Sequence, residues 1–280
     1  MAFLAAHVPL QHLYLNNNGL GPHAGILIAD ALSELHAKKE AARKAGQEVP
    51  DLETVICGRN RLENGSMAAW AKTFKLHNRI KEIKMVQNGI RQEGISHLLS
   101  EGLRHTSRLE VLDLQDNTFT LLGAKGAVLL GKSLGKGKNT KLRILRLQYN
   151  EITATGVKAL AAAAADALPV LKKLELNGNK FTEDDESILA LQDLFEARKE
   201  KQAGDVVIED EWGLDSLSDL EEESEGEEEE ESEAEEEEEE AEEKAEKLIK
   251  DAEEAQAEPV AQRKDKDVDE LADKLGKTAI

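Results

Sequence analysis

Residues 13–25 read LYLNNNGLGPHAG, with three consecutive asparagines directly after an apolar, strand-like triplet. Asparagine favours turns over strands. Its amide both donates and accepts hydrogen bonds and carries no charge. The chemistry it offers is orientation: it can hold another polar group in a productive position without adding charge.

The remaining reactive groups form no enzyme constellation. GLGPHAG follows an apolar strand without the G-x-G-x-x-G spacing of a dinucleotide loop. GKSLGKGKNT at 131–140 is rich in Gly and Lys but is not G-x-x-x-x-G-K-[ST], and it reads as a mobile inter-repeat loop. The seven histidines contain no H-x-x-x-H pair and no ligand spacing with Cys57, so no metal site is expected. Acidic side chains of the C-terminal part can attract cations diffusely, which is not a built site.

The elements that position the asparagines emerge from a repeat. LQHLYLNNNGL, LETVICGRNRL, IKEIKMVQNGI, LEVLDLQDNTF, LRILRLQYNEI and LKKLELNGNKF begin at residues 10, 52, 80, 109, 142 and 171. Each fits L-x-x-L-x-L-x-x-N-x-L, with Val, Ile, Met, Cys or Phe replacing some leucines. That is the leucine-rich repeat pattern. The alternating core of each copy predicts a short strand. The last asparagine of each copy, Asn18, Asn60, Asn88, Asn117, Asn150 or Asn179, is placed to satisfy backbone groups where the chain leaves the strand.

Six residues after five of these asparagines comes a small residue: Ala24, Ser66, Gly94, Gly123 and Gly156. The segments after them carry apolar residues at helical spacing. The spacings of 28–29 residues between several copies leave room for a full helix per repeat. The expected body is an α/β leucine-rich repeat solenoid, a ribonuclease-inhibitor-like horseshoe with a parallel sheet on one face and helices on the other.

Cys57 falls on an inward position of the second strand and reads as a packing residue. Trp70 reads as packing within the following helix. Trp212, outside the repeats, either caps the last repeat or docks in a partner. The longer insertion ELHAKKEAARKAGQEVP reads as an extended helix and loop whose Lys and Arg form a solvated face.

The formal net charge of −21 is concentrated. Residues 205–243 hold 24 of the 57 acids and none of the 36 bases, so the rest of the chain is nearly neutral. Such a segment cannot bury enough apolar surface to order itself. The expected organisation is a repeat domain over 1–204, a disordered acidic tail over 205–245, and a charged C-terminal segment over 246–280 with one short helix. One cysteine and no apolar run of membrane-spanning length suggest a soluble intracellular protein. MAFLAAHV has no basic residue before its apolar stretch and does not read as a signal peptide.

Together, LQHLYLNNNGLGPHAG, ICGRNRLENGSMAAWAKTF, KMVQNGIRQEGISHLL, VLDLQDNTFTLLG, LRLQYNEI, LELNGNKFTEDD and the acidic tail resemble the Ran GTPase-activating proteins, especially the fungal form. The resemblance runs from about Pro9 to Asp185. It implies a protein that is not itself an enzyme. Such a protein binds Ran–GTP and stimulates hydrolysis by ordering the GTPase's own glutamine rather than by supplying an arginine finger.

The family asparagine with that role matches Asn17. The exposed positions of the same edge, Asn16, Arg59, Gln87 and Asp116, become candidate partner contacts. The resemblance further implies no resident cofactor, since GTP and Mg²⁺ are bound by the partner. Ran-binding proteins are further partners, and neither nucleic acid nor membrane is expected. It also implies a monomer that acts in nucleocytoplasmic transport, cytoplasmic, at the nuclear envelope or shuttling.

Family members carry several repeats before this point, whereas MAFLAAHVPL resembles the end of a repeat helix. A shortened form with weakened activation is therefore expected, and Leu4, Val8, Leu13 and Leu15 should have reduced cover. A second function class remains open: a non-activating leucine-rich repeat interaction protein whose acidic tail attracts histones or other basic proteins.

Overall fold

The computed structural model describes residues 1–118, 125–202 and 212–221. In chain order these form α1 (Ala2–Ala6), β1 (His12–Tyr14), α2 (Gly21–Lys44), β2 (Thr54–Ile56), α3 (Glu63–Leu76), β3 (Glu82–Lys84) and α4 (Gln92–His97). There follow β4 (Val111–Asp113), α5 (Lys125–Gly135), β5 (Ile144–Arg146), α6 (Ala154–Asp166), β6 (Lys173–Glu175), α7 (Glu186–Gln202) and β7 (Gly213–Leu214). The seven strands make one parallel sheet in sequence order. The central residues Leu13, Val55, Ile83, Leu112, Leu145 and Leu174 lie in register. This is a leucine-rich repeat solenoid.

The repeat pattern accounts for the core position by position. The strand centres are buried, and so are Cys57, Met85, Leu114, Leu147 and Leu176 two residues on. Leu62, Ile90, Ile152 and Phe181, two residues past the ladder asparagines, are buried too. Successive strand side chains alternate faces, so the intervening residues line the opposite face of the sheet.

The first repeat is the least covered. Leu13 keeps 8% of its surface, and Leu4, Val8, Leu10, Leu15 and Leu20 are only partly buried.

Small residues set the helix spacing. A Cβ at Gly94 would strike Asn64 and Met67, and one at Gly156 would strike Ala127. Ser66 is buried and its hydroxyl donates to the Leu62 carbonyl at 2.8 Å. In the first repeat the close approach is made by Gly25, against Leu62 and Ser66, and not by Ala24. Gly123 lies outside the described residues.

Three expectations are corrected. Residues 131–135 of the Gly/Lys-rich stretch are the last turn of α5, not a loop. Gly131 permits this because a Cβ there would meet the backbone of Ala159 in α6.

The lysines of the long insertion do not all face water either. Lys39 on α2 is 1% exposed, and its ammonium donates to the carbonyls of Val8, Leu10 and Pro50 at 2.7, 2.7 and 2.6 Å. Three charge-assisted bonds tie the segments on either side of β1 and α2 to one point. Burial lowers the Lys39 pKa to about 8.

Residues 212–221, read from sequence as part of the acidic tail, instead extend the sheet. β7 pairs with β6. Leu217 is buried, and the Trp212 indole donates to the Phe195 carbonyl at 2.9 Å. Asp215 accepts from the backbone N–H groups of Leu176 and Asn177 at 2.7 and 3.2 Å. Enough apolar contact and backbone pairing is available here to order an acidic stretch. Trp212 therefore packs against α7. The rest of 205–245 and all of 246–280 lie outside the described residues. Among the described residues no helix is long and apolar enough to cross a membrane.

The ladder asparagines bind the stack. Asn18, Asn60, Asn88, Asn117 and Asn150 each donate a backbone N–H to the Oδ1 of the next, at 2.8, 3.1, 3.0, 2.9 and 2.9 Å. From Asn60 onward, each Nδ2 returns to a carbonyl of the preceding repeat: Leu15, Cys57, Met85, Leu114 and Leu147. Asn60 to Asn179 are at most 1% exposed, whereas Asn18 ends the row and is exposed. Asn88→Ala should destabilise by about 2–4 kcal/mol because it strands several buried backbone groups. Asn18→Ala should cost less than about 1 kcal/mol, since only a surface bond is lost. Chemical denaturation of both variants checks the contrast.

His77 at the end of α3 is buried, with Nε2 donating to the Leu32 carbonyl at 2.8 Å. Burial lowers its pKa from 6.5 to about 4. The unfolded chain therefore binds more protons between pH 6.5 and 4, and stability falls as pH drops through that window. The loss amounts to about 3 kcal/mol below it. His77→Gln should flatten this acid limb in denaturation curves recorded from pH 7 to 4.

Candidate functional site

At the C-terminal end of each strand the chain must turn sharply to reach the ladder asparagine. It does so through one left-handed residue per repeat. Asn17, Arg59, Gln87, Asp116, Tyr149 and Gly178 have φ of 60, 56, 51, 53, 54 and 72°. This region costs an L-residue energy and is tolerated best by Gly and Asn.

The conformation is held by hydrogen bonds between repeats. The N–H groups of Asn17, Arg59, Gln87, Asp116 and Tyr149 donate to Gly58, Val86, Gln115, Gln148 and Asn177 carbonyls, at 2.8–3.1 Å. Parallel strands sit about 5 Å apart, so these residues form a row at that spacing along one edge. Asn17, Arg59, Gln87 and Asp116 are exposed.

Hydrogen bonding separates the three asparagines. Asn18 is in the ladder, and its Nδ2 donates to the Asn16 carbonyl at 3.1 Å. Asn16, expected as an exposed edge residue that contacts the partner, uses Oδ1 to accept from the Gly58 N–H at 2.6 Å. Asn17 is fixed through its backbone alone. Among the described residues its side-chain amide has no hydrogen-bond partner, although both of its neighbours are engaged. A rigid backbone thus carries an uncommitted donor–acceptor group at the first position of the row.

The neighbouring corners carry cations. An open depression of about 520 Å³ lies between the second and third corners, lined by Arg61, Glu63, Asn64, Gly65, Gln87, Asn88, Gly89 and Arg91. Sequence reasoning singled out Arg59 and Gln87 but not Arg61 or Arg91. The signal available was their offset, one and three residues past a ladder asparagine, on the same descending turn.

A polar network on the sheet face was also missed. Glu175 accepts from Gln148 Nε2 at 2.6 Å and from Arg146 Nε at 3.0 Å. Gln115 joins Gln148. Asp113 lies 3.9 Å from Arg146, and burial raises its pKa. These residues come from three repeats and meet only through strand register.

The other reactive side chains have structural roles. Cys57 is fully buried and burial raises its pKa to about 12, so it is a packing thiol. Trp70 is buried beside Phe74, ring centroids 5.8 Å apart. Among the described residues no group of three His, Cys, Asp or Glu is placed to hold a metal ion.

Comparison with known proteins agrees with this architecture. Residues 138–161 match the Leucine Rich repeat family model. The chain is 39% identical over 223 residues to Ran GTPase-activating protein 1 of Saccharomyces cerevisiae, covering 69% of this chain and 54% of the yeast protein. This chain is a leucine-rich repeat protein, and its relatives are Ran GTPase-activating proteins. It is also 33% identical over 253 residues to the Drosophila melanogaster Ran GTPase-activating protein, covering 77% of this chain and 40% of the fly protein. An 81-residue stretch is 43% identical to Ran GTPase-activating protein 1 of Xenopus laevis, covering 29% of this chain and 13% of that protein. The chain thus spans about half, or less, of the length of these relatives.

The last corner shows how tightly the row is built. Tyr149 lies against Gly178, where a Cβ would collide with its ring, and the Tyr149 hydroxyl donates to Asp219 at 3.1 Å. Gly178→Ala should therefore be destabilising through both collision and left-handed strain. In a Tyr149→Ala background only the strain, about 1–2 kcal/mol, should remain. A double-mutant cycle by thermal melting measures the difference.

Proposed function

We propose that this chain stimulates GTP hydrolysis by the small GTPase Ran, with Asn17 orienting the glutamine by which the GTPase positions its attacking water. The observation that carries this reading is the amide of Asn17, without a hydrogen-bond partner among the described residues, on a backbone locked by the neighbouring repeat. The named activity of the relatives supplies the partner.

An amide suits the task because it can accept from the glutamine NH₂ and donate to its carbonyl at once, without introducing charge. The left-handed corner removes backbone freedom before the partner arrives, so little ordering is left to occur on binding. Arg59, Gln87 and Asp116 continue the contact along the edge, and Asn16 adds its remaining Nδ2 donor. In this reading GTP and Mg²⁺ belong to the partner, no arginine finger is supplied, and the chain acts as a monomer in nucleocytoplasmic transport from the cytoplasmic side.

Asn17→Gly is the decisive variant, because glycine accepts the φ of 60° and removes only the amide. Single-turnover hydrolysis on Ran·GTP should slow on the order of 100-fold relative to the unchanged chain, while the melting temperature stays within a few degrees. Asn17→Ala should lose the same activity with a small additional loss of stability from strain. Full stimulation by Asn17→Gly, or no stimulation by the unchanged chain, overturns the assignment.

A further inference from the structure

We propose that Arg59, Arg61 and Arg91 form a docking surface for a carboxylate-rich face of the partner GTPase, and that this surface governs association rather than the chemical step. The inference rests on the activator reading above and adds the chemistry of the partner surface beside the one Asn17 meets.

Position comes first. Arg59 occupies the corner next to Asn17, joined to it through the Asn17 N–H to Gly58 carbonyl bond at 2.9 Å. Arg61 follows the ladder residue Asn60, where the flanking repeats have Gly19 and Gly89. With φ of 55° it is itself left-handed, held out on a turn that glycine would more commonly occupy. Arg91 begins the next descent, and its backbone N–H is fixed by Asn64 Oδ1 at 2.8 Å. Arg61 and Arg91 both line the depression of about 520 Å³ between the corners.

Charge is the second observation. Several cations elsewhere in this protein are matched. Arg43 and Arg79 pair with Asp51, Lys81 with Glu53, Lys84 with Glu82, and Arg146 with Glu175. Arg59, Arg61 and Arg91 are exposed, and among the described residues none of them forms an ion pair. Glu63 lines the same depression, and Glu93 accepts from Asn64 Nδ2 at 3.4 Å, so the patch stays net positive. Farther along the edge the corners become Asp116 and Tyr149. The cationic stretch is therefore confined to the two repeats beside Asn17.

Three unpaired guanidinium forks on fixed turns match carboxylates, which they can engage in bidentate fashion. Exposed rim charges of this kind raise the association rate and its salt sensitivity more than they alter events inside the complex.

The test compares the unchanged chain with the triple variant Arg59→Glu/Arg61→Glu/Arg91→Glu and the corresponding triple Gln variant. Lys158→Glu on α6 serves as a single-charge control. Stopped-flow association with Ran·GTP is measured at low and high salt, and single-turnover hydrolysis at saturating activator. The Glu triple should associate at least about tenfold more slowly at low salt, with the gap closing as salt rises. Its hydrolysis rate at saturation should stay within about twofold of the unchanged chain. The Gln triple should shift in the same direction by less, and Lys158→Glu should not shift.

An unaltered association rate in both triples overturns the proposal. So does a saturated rate lowered by about 10³-fold or more, which would mark one of these arginines as a finger acting on the phosphates. If the unchanged chain neither binds nor stimulates Ran·GTP, the activator reading fails, and this inference with it. If Asn17→Gly lowers hydrolysis while the arginine triples associate normally, only the docking proposal fails.

Discussion

A short strand that turns away from its sheet leaves backbone groups with no partner, and here one asparagine amide per repeat meets that need. Each Oδ1 takes an N–H from the repeat before it, and from Asn60 onward each Nδ2 gives a bond back to a carbonyl there. These amides are buried, where an unmade bond is expensive. The ladder fixes the point at which every repeat leaves the sheet and holds the next strand in register. The helices can then stack at a spacing small enough that Gly94 and Gly156 are required.

The candidate interface is a consequence of that constraint. If the ladder residue must point inward, the residue before it must turn through the left-handed region and present its side chain at the edge. The fold thereby generates a row of exposed side chains on the least deformable part of its backbone. The same edge provides a structural asparagine at one position and an uncommitted one at the next. The outermost described strands are held by other contacts as well. At the start, Lys39 gathers three carbonyls around β1. At the finish, Asp215 and Trp212 fasten β7 to the last full repeat.

Much of this was legible in the residues. The spacing of L-x-x-L-x-L-x-x-N-x-L separates inward from outward positions, so it places the core leucines, Cys57 and the six ladder asparagines by itself. The GKSLGKGKNT and 205–245 readings failed in part for a common reason. Composition describes average behaviour, whereas Gly131 faces a specific neighbour at Ala159 and Leu217 finds a specific apolar site. Lys39 misled for the same reason: a cation on a helix is solvated by default unless carbonyls from distant segments converge on it.

The sequence by itself determined the solenoid, its periodicity and the existence of a polar edge, because those depend on local alternation and on one amide per repeat. Only the tertiary structure decided which groups on that edge are free. Asn16, Asn17 and Asn18 are adjacent and chemically identical. Their roles diverge because Gly58 and Asn60, 42 residues along the chain, hold the Oδ1 of Asn16 and the backbone of Asn18. The juxtaposition of Arg59, Arg61 and Arg91 likewise follows from strand register. The repeat pattern marks the ladder amides but not which of the other edge amides a neighbouring repeat engages, and those bonds take up Asn16 and not Asn17.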